Sequence, residues 1–326
     1  MMYSISKKIA LGATAGALLL NGCGKKAEEA AAVTIPDAPA AAIQTVITEF
    51  AKGNGGILWQ AMPASYQSDV NTLAQLAGSK IDPEVYDSSF ATIARLAEIV
   101  EQQAFILNSS FMADRSIEEM AELEAALPSI VDLIETITSS ELASTNDLLN
   151  FNGQEFFDTT VSKFVQYAET LGQLAGDQSV LSDYMNAVVS VVEADDMQAT
   201  LLITVFGQEP HEQMFTKVEQ RWVPAEMASD WAAKIAETKA NLDATSIEDM
   251  AALKPQIMGA LAMIDGVLTQ IAAAETQEQF DQSLQGAIIP VMGLIMIGQG
   301  MGGGAAPVGP MPTAPIVAPG SISATQ

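Results

Sequence analysis

Residues 200–223 read TLLITVFGQEPHEQMFTKVEQRWV. Thr200–Phe206 is a run of β-branched, aliphatic and aromatic residues, the composition of a half-buried strand. Met214–Val223 alternates, which predicts Met214, Val218 and Trp222 on one side and Lys217, Glu219 and Arg221 on the other. Gly207–Gln213, GQEPHEQ, supplies the turn between them. The reading is a β-hairpin near 199–223 with one wet face. A lone hairpin is marginal in water, so it must lie on helices or pair with further strands. No other stretch carries so strong a β signal. The predicted fold is therefore mainly α with a minor β-hairpin, α+β at most, arranged as a multi-helix, bundle-like array.

Outward from the hairpin the helical period takes over. After Pro224 come Met227, Trp231, Ile235 and Leu242, and long helices follow over about 247–274 and 275–297, with Pro255 and Pro290 as kinks or boundaries. Upstream, two helices are predicted between Gln154 and Val192, separated by Gly176-Asp177. Ile43, Val46, Ile47 and Phe50 mark a helix that GNGG (Gly53–Gly56) stops. Trp59, Met62, Tyr66, Val70, Leu73 and Leu76 form a second stripe; Tyr86, Phe90, Ile93, Leu96 and Val100, after Asp82-Pro83, form a third. Such stripes are core faces. Ser116 opens SIEEMAELEAAL and Ser246 opens SIEDMAALKPQI, two capping boxes with Glu119 and Asp249 at the third helical position.

Residues 287–297, AIIPVMGLIMI, are apolar throughout but too few to span a bilayer, which takes about 20 residues. A buried helix end is the expectation. The absence of charged side chains after Asp281 leaves a membrane-dipping segment as the alternative. Of the 29 residues in 298–326, 12 are Gly or Pro, and this tail is expected to be disordered. The globular body thus occupies 42–297.

Charge narrows the function. Lys plus Arg number 14 and Asp plus Glu 40, a net charge of −26, which repels phosphate backbones and argues against nucleic acid as a partner. One cysteine permits neither an intramolecular disulfide nor a Cys-based zinc site. Its setting is distinctive. Lys7 and Lys8 precede the apolar run Ile9–Leu20, which has signal-peptide length, and then Leu20-Asn21-Gly22-Cys23 follows. These four residues resemble the lipobox of bacterial lipoproteins: aliphatic at −3, small at −1, cysteine at +1. Asn21 at −2 departs mildly from the usual small residue. The resemblance covers residues 1–23 and implies that 1–22 is a signal peptide and that Cys23 is lipidated. Several acyl chains would then hold the protein stably to a membrane. Gly24 in place of an inner-membrane retention Asp implies the outer membrane. Residues 23–41, Ala-rich with Pro36 and Pro39, are read as a flexible tether.

Catalytic markers are sparse. His211 is the only histidine, and a zincin helix would need its second histidine where Phe215 stands. No G-x-S-x-G elbow, P-loop or dinucleotide fingerprint occurs. Asp195-Asp196, Glu118-Glu119 and Glu248-Asp249 read as helix-boundary or solvated-face charges, and the 16 methionines as core filling. No catalytic residue, metal ligand or cofactor is assigned, and the body resembles no family of known activity. The expectation is a membrane-anchored bacterial envelope lipoprotein, not an enzyme, that works as a structural or interaction module. Its partners would be the membrane, through the lipid anchor, and an envelope protein. The alternative is a periplasmic small-ligand or cation-binding sensor using Trp59, Tyr66, Trp222 and Trp231. A carboxylate-based glycan hydrolase ranks third.

Overall fold

A computed structural model of the chain describes residues 33–174, 180–245 and 247–286. The expected hairpin is the centre of a four-stranded antiparallel meander, β1 (Val188–Ala194), β2 (Gln198–Thr204), β3 (His211–Val218) and β4 (Arg221–Pro224), in that spatial order. Two strands were not anticipated. The sequence reading places Val188–Val192 in a helix, yet a run of four valines around Ser190 loses side-chain freedom in a helix and packs well on a sheet. Met214–Val223, which the alternation predicts as one strand, reverses at Glu219 and Gln220, whose φ values are +46° and +65°. A two-residue turn with both φ positive matches the twist of a tight hairpin.

That reversal also corrects the facing. Lys217 pairs with Trp222, and Ala199 with Phe215, so Phe215, Lys217 and Trp222 share a face with Ala199, Leu201 and Ile203. Phe215 is 4% exposed, whereas Met214 is 54% exposed on the opposite face. Against the inner face lies α1 (Pro39–Ala51), whose Ala42 and Ile43 join Leu201, Ile203, Phe215 and Trp222 in one apolar cluster. Trp222 Nε1 donates to the Asp37 carbonyl at 2.7 Å, and Lys217 forms an ion pair with the Asp37 carboxylate. Ile35 packs on the same cluster. Residues 35–41, at the end of the stretch expected to be tether, therefore belong to the folded body.

Gly53, at φ +88°, ends the first helix as expected, and α2 (Gly56–Ala61) and α3 (Ala64–Lys80) follow. Gly55 sits where a Cβ would come within 2.7 Å of the Phe157 carbonyl, and its N–H donates to Ser162 Oγ at 2.8 Å. The partner is a π-helical turn, Phe157–Val161, between α8 (Gly153–Phe156) and α9 (Ser162–Leu174). Trp59, Phe151, Phe156 and Phe157 fill a second cluster there.

The helical remainder comprises α4 (Pro83–Val100), α5 (Gln103–Leu107), α6 (Ile117–Thr138), α7 (Thr145–Leu149), α10 (Val180–Met185), α11 (Ala225–Ala244) and α12 (Ile247–Ala272). Asp82 caps α4 through Val85 N–H, with Pro83 at the first position. The Ser116 capping box forms in full: Glu119 N–H donates to Ser116 Oγ at 3.2 Å, and Ser116 N–H to Glu119 Oε2 at 2.7 Å. Ser246 lies outside the described residues. Helix α12 runs through Pro255 without a break, so the expected boundary there does not occur. A third apolar cluster joins Ile99 of α4, Leu268 and Ile271 of α12, and Phe280 from the helical residues 277–286. The structure is thus mainly α with a minor antiparallel sheet, as the sequence implied.

Candidate interaction surface

Strand β1 is an edge, bonded to β2 on one side. An edge strand exposes a row of N–H and C=O groups that templates pairing with another chain, and proteins usually blunt such edges with lysine, proline or cover. Here the N-terminal end is blunted by one side chain. Gln44 of α1 donates from Nε2 to the Ala187 carbonyl at 2.8 Å and accepts from Val189 N–H at 2.9 Å, standing in for a neighbouring strand residue. Alternation then turns the backbone groups of Val191 away from β2 as well, where no hydrogen bond from another of the described residues meets them.

Among the described residues, the valines of this edge are exposed. Val188, Val191 and Val192 are each at least half exposed, and no charge interrupts Val188–Val192 in a chain of net charge −26. The register shifts between Val191 and Glu193, a bulge that presents neighbouring valines differently from a regular strand. Elsewhere on the sheet and its turns, Met197, Phe206 and Met214 are also exposed. The acidic rim of the edge is fixed at the β1–β2 turn. Asp195 Oδ1 accepts from Met197 N–H and Gln198 N–H, both at 2.7 Å, and these backbone bonds hold its carboxyl below the usual carboxylate range. Asp195-Asp196 thus belongs to a β-turn, not to a helix boundary.

The four aromatics considered for a ligand site do not converge. Trp59 is buried against Phe157, ring centroids 5.5 Å apart. Trp222 lies in the sheet cluster. Tyr66 stacks on Trp231 at 4.0 Å, with Trp231 Nε1 donating to Asp69 at 2.8 Å. Burial first, then Glu219 and Asp69, pushes the Tyr66 hydroxyl up. His211 is exposed as the first residue of β3, paired with Ile203. Glu118 and Glu119 occupy the first turn of α6. Glu248 and Asp249 lie at the start of α12.

Among the described residues, no group of three or more His, Cys, Asp and Glu is placed to hold a metal ion. The carboxylates with clear shifts are held down by structural partners: Asp82 by Lys254, Glu119 by Ser116, Glu219 by Ser65, each fully ionised at neutral pH. An acid catalyst requires the opposite shift. Cys23 and residues 1–22, read as a signal peptide, lie outside the described residues, as do the expected helix end 287–297 and the tail 298–326. The β1 edge and Gln44 were the residues sequence reading missed; the β-branched density of AVVSVV (187–192) was the available signal. Compared with known proteins, the chain matches no family model, no curated protein and no solved structure.

Proposed function

We propose that the chain is a lipid-anchored envelope protein whose body works as an interaction module, with the free edge of β1 as its binding element. The anchor rests on the likeness of Leu20-Asn21-Gly22-Cys23 to a lipobox. It gives the lipidated Cys23 a bacterial membrane, the outer one, as its address. The observation that carries the binding role is the uncharged, half-exposed valine edge, with the Val191 backbone unpaired among the described residues.

The chemistry of that edge selects its partner. Strand addition supplies main-chain hydrogen bonds, and alternate side chains supply specificity. Val188, Val191 and Val192 favour an extended segment of an envelope protein that is itself apolar and uncharged, since a negative segment would meet Glu193 and Asp195. The test is a photo-crosslinking residue at Val191 in cells making the full chain, with exposed Glu237 of α11 as control. A discrete adduct from Val191 alone supports the reading. Equal adducts from both positions, a dimer of this chain, or none at all would overturn it.

A further inference from the structure

Along β1 the Ala187 carbonyl and the backbone groups of Val189 and Val191 point away from β2. These are the groups that an added strand would use. The protein already occupies the first pair. Gln44 holds the Ala187 carbonyl and Val189 N–H through its amide, whose nitrogen also donates to Thr48 Oγ1 at 3.2 Å. Beyond this pair, the Val189 carbonyl and both groups of Val191 meet no hydrogen-bonding partner among the described residues.

Gln44 and Thr48 lie one turn apart on α1, so the amide is aimed at the edge from within the helix. Ala42 and Ile43 fix that helix on the sheet. The Gln44 side chain is itself half-buried and turns about single bonds, so it leaves the edge without any movement of α1. Resting on the binding role given above to the β1 edge, we propose that Gln44 is an internal competitor for strand addition. It closes the rung between Ala187 and Val189, confines an added segment to the rung between Val189 and Val191, and lowers the affinity of the edge.

The balance of hydrogen bonds sets the effect. A segment that displaces the amide makes two main-chain bonds and breaks two of Gln44, so the count is unchanged. A segment that stops short leaves the amide in place. Either way the first rung adds nothing to binding while Gln44 is present. In the free protein the same contact shortens the row of unpaired groups on an edge that no charge interrupts between Val188 and Val192. Such edges otherwise pair indiscriminately. Gln44 thus trades affinity for protection.

The test places the photo-crosslinking residue at Val191 or at Val188 in cells making the full chain, with Gln44 intact or replaced and Glu237 as control. With Gln44 intact, the partner should be captured from Val191 and little from Val188. A freed rung of two hydrogen bonds corresponds to roughly tenfold tighter binding. At low occupancy, Gln44→Ala should therefore raise the Val191 adduct about tenfold and bring up a Val188 adduct with the same partner. Gln44→Met keeps the length of the side chain without its hydrogen bonds and should act alike if the shorter side chain unsettles the fold, which circular dichroism checks. Adducts unchanged or diminished at both positions in the folded variants overturn the competitor and leave the role of the edge standing. No Val191 adduct with Gln44 intact overturns the binding role itself, and the competitor with it.

Discussion

Gly153→Ala should destabilise the protein although alanine is the better helix former. A Cβ built on Gly153 lies 2.2 Å from Trp59 Cη2 and 2.3 Å from Cζ3. The indole has little room to move: Trp59 is 5% exposed and packed against Phe151, Phe156 and Phe157. Nor is the backbone free to retreat, since Gly153 N–H donates to Asn71 Oδ1 at 2.8 Å. Overpacking of a filled core costs about 1–3 kcal/mol. Alanine's advantage within a helix, up to about 1 kcal/mol, subtracts from that. A net loss of roughly 1–2 kcal/mol follows, or a Tm lower by about 2–8 °C at the rate of 2–4 °C per kcal/mol for a domain of this size. Gly172→Ala in α9 is the matched control. Its Cβ meets nothing within 4 Å, so it should stabilise by about 0.4–1 kcal/mol. Urea melts of both variants, followed by near-UV circular dichroism for the Trp59 environment, make the comparison. A Gly153→Ala protein as stable as wild type, with an unchanged aromatic signal, would refute the packing assigned to Trp59.

Gln44→Ala should lose about 1–2 kcal/mol, because it leaves Val189 N–H and the Ala187 carbonyl without partners; hydrogen exchange at Val189 should accelerate while that at Leu201 does not. Gln220→Gly should stabilise by about 1 kcal/mol in a denaturant melt, since glycine adopts φ +65° without a steric penalty. The depressed carboxyls give an acid-side prediction. Asp82 is held down first by Lys254 and then by Val85 N–H, and Glu119 by Ser116. Their stabilisation is whole above the unfolded carboxylate value of about 4 and is lost as pH falls through the lower folded values. Asp82→Asn should therefore narrow the gap between melting temperatures at pH 6 and pH 2.5, and an unchanged gap would contradict the ion pair with Lys254.

The helical part of the fold was legible because its signals are local. Asp82-Pro83, the Ser116–Glu119 box and Gly53 each state a helix end in chemistry that needs no tertiary contact. The sheet was half legible. β2 announced itself by composition, but β1 follows a helix with no turn residue stronger than Asn186, and an apolar run of that length fits a buried helix as well as a strand. The β3–β4 reversal was hidden because Glu-Gln is not a usual pair for two positive φ values. It is held in tertiary context, where the Glu219 carboxylate accepts from Ser65 N–H at 3.0 Å at the start of α3. Missing that turn inverted the faces of Met214 and Phe215. The interaction surface was illegible for the same reason: an edge exists only once strand order is known, and Gln44 reaches it across 143 residues of sequence.

The proposed role turns on the chemistry of one sulfur atom. The most direct measurement is intact mass spectrometry of the amino-terminal peptide of the protein made from its full sequence in a bacterial host. A peptide beginning at Cys23, heavier by a diacylglyceryl group and recovered from the membrane fraction, is the predicted result. A peptide carrying a free thiol at Cys23, from protein released by buffer alone, would contradict the anchor and remove the membrane from the account.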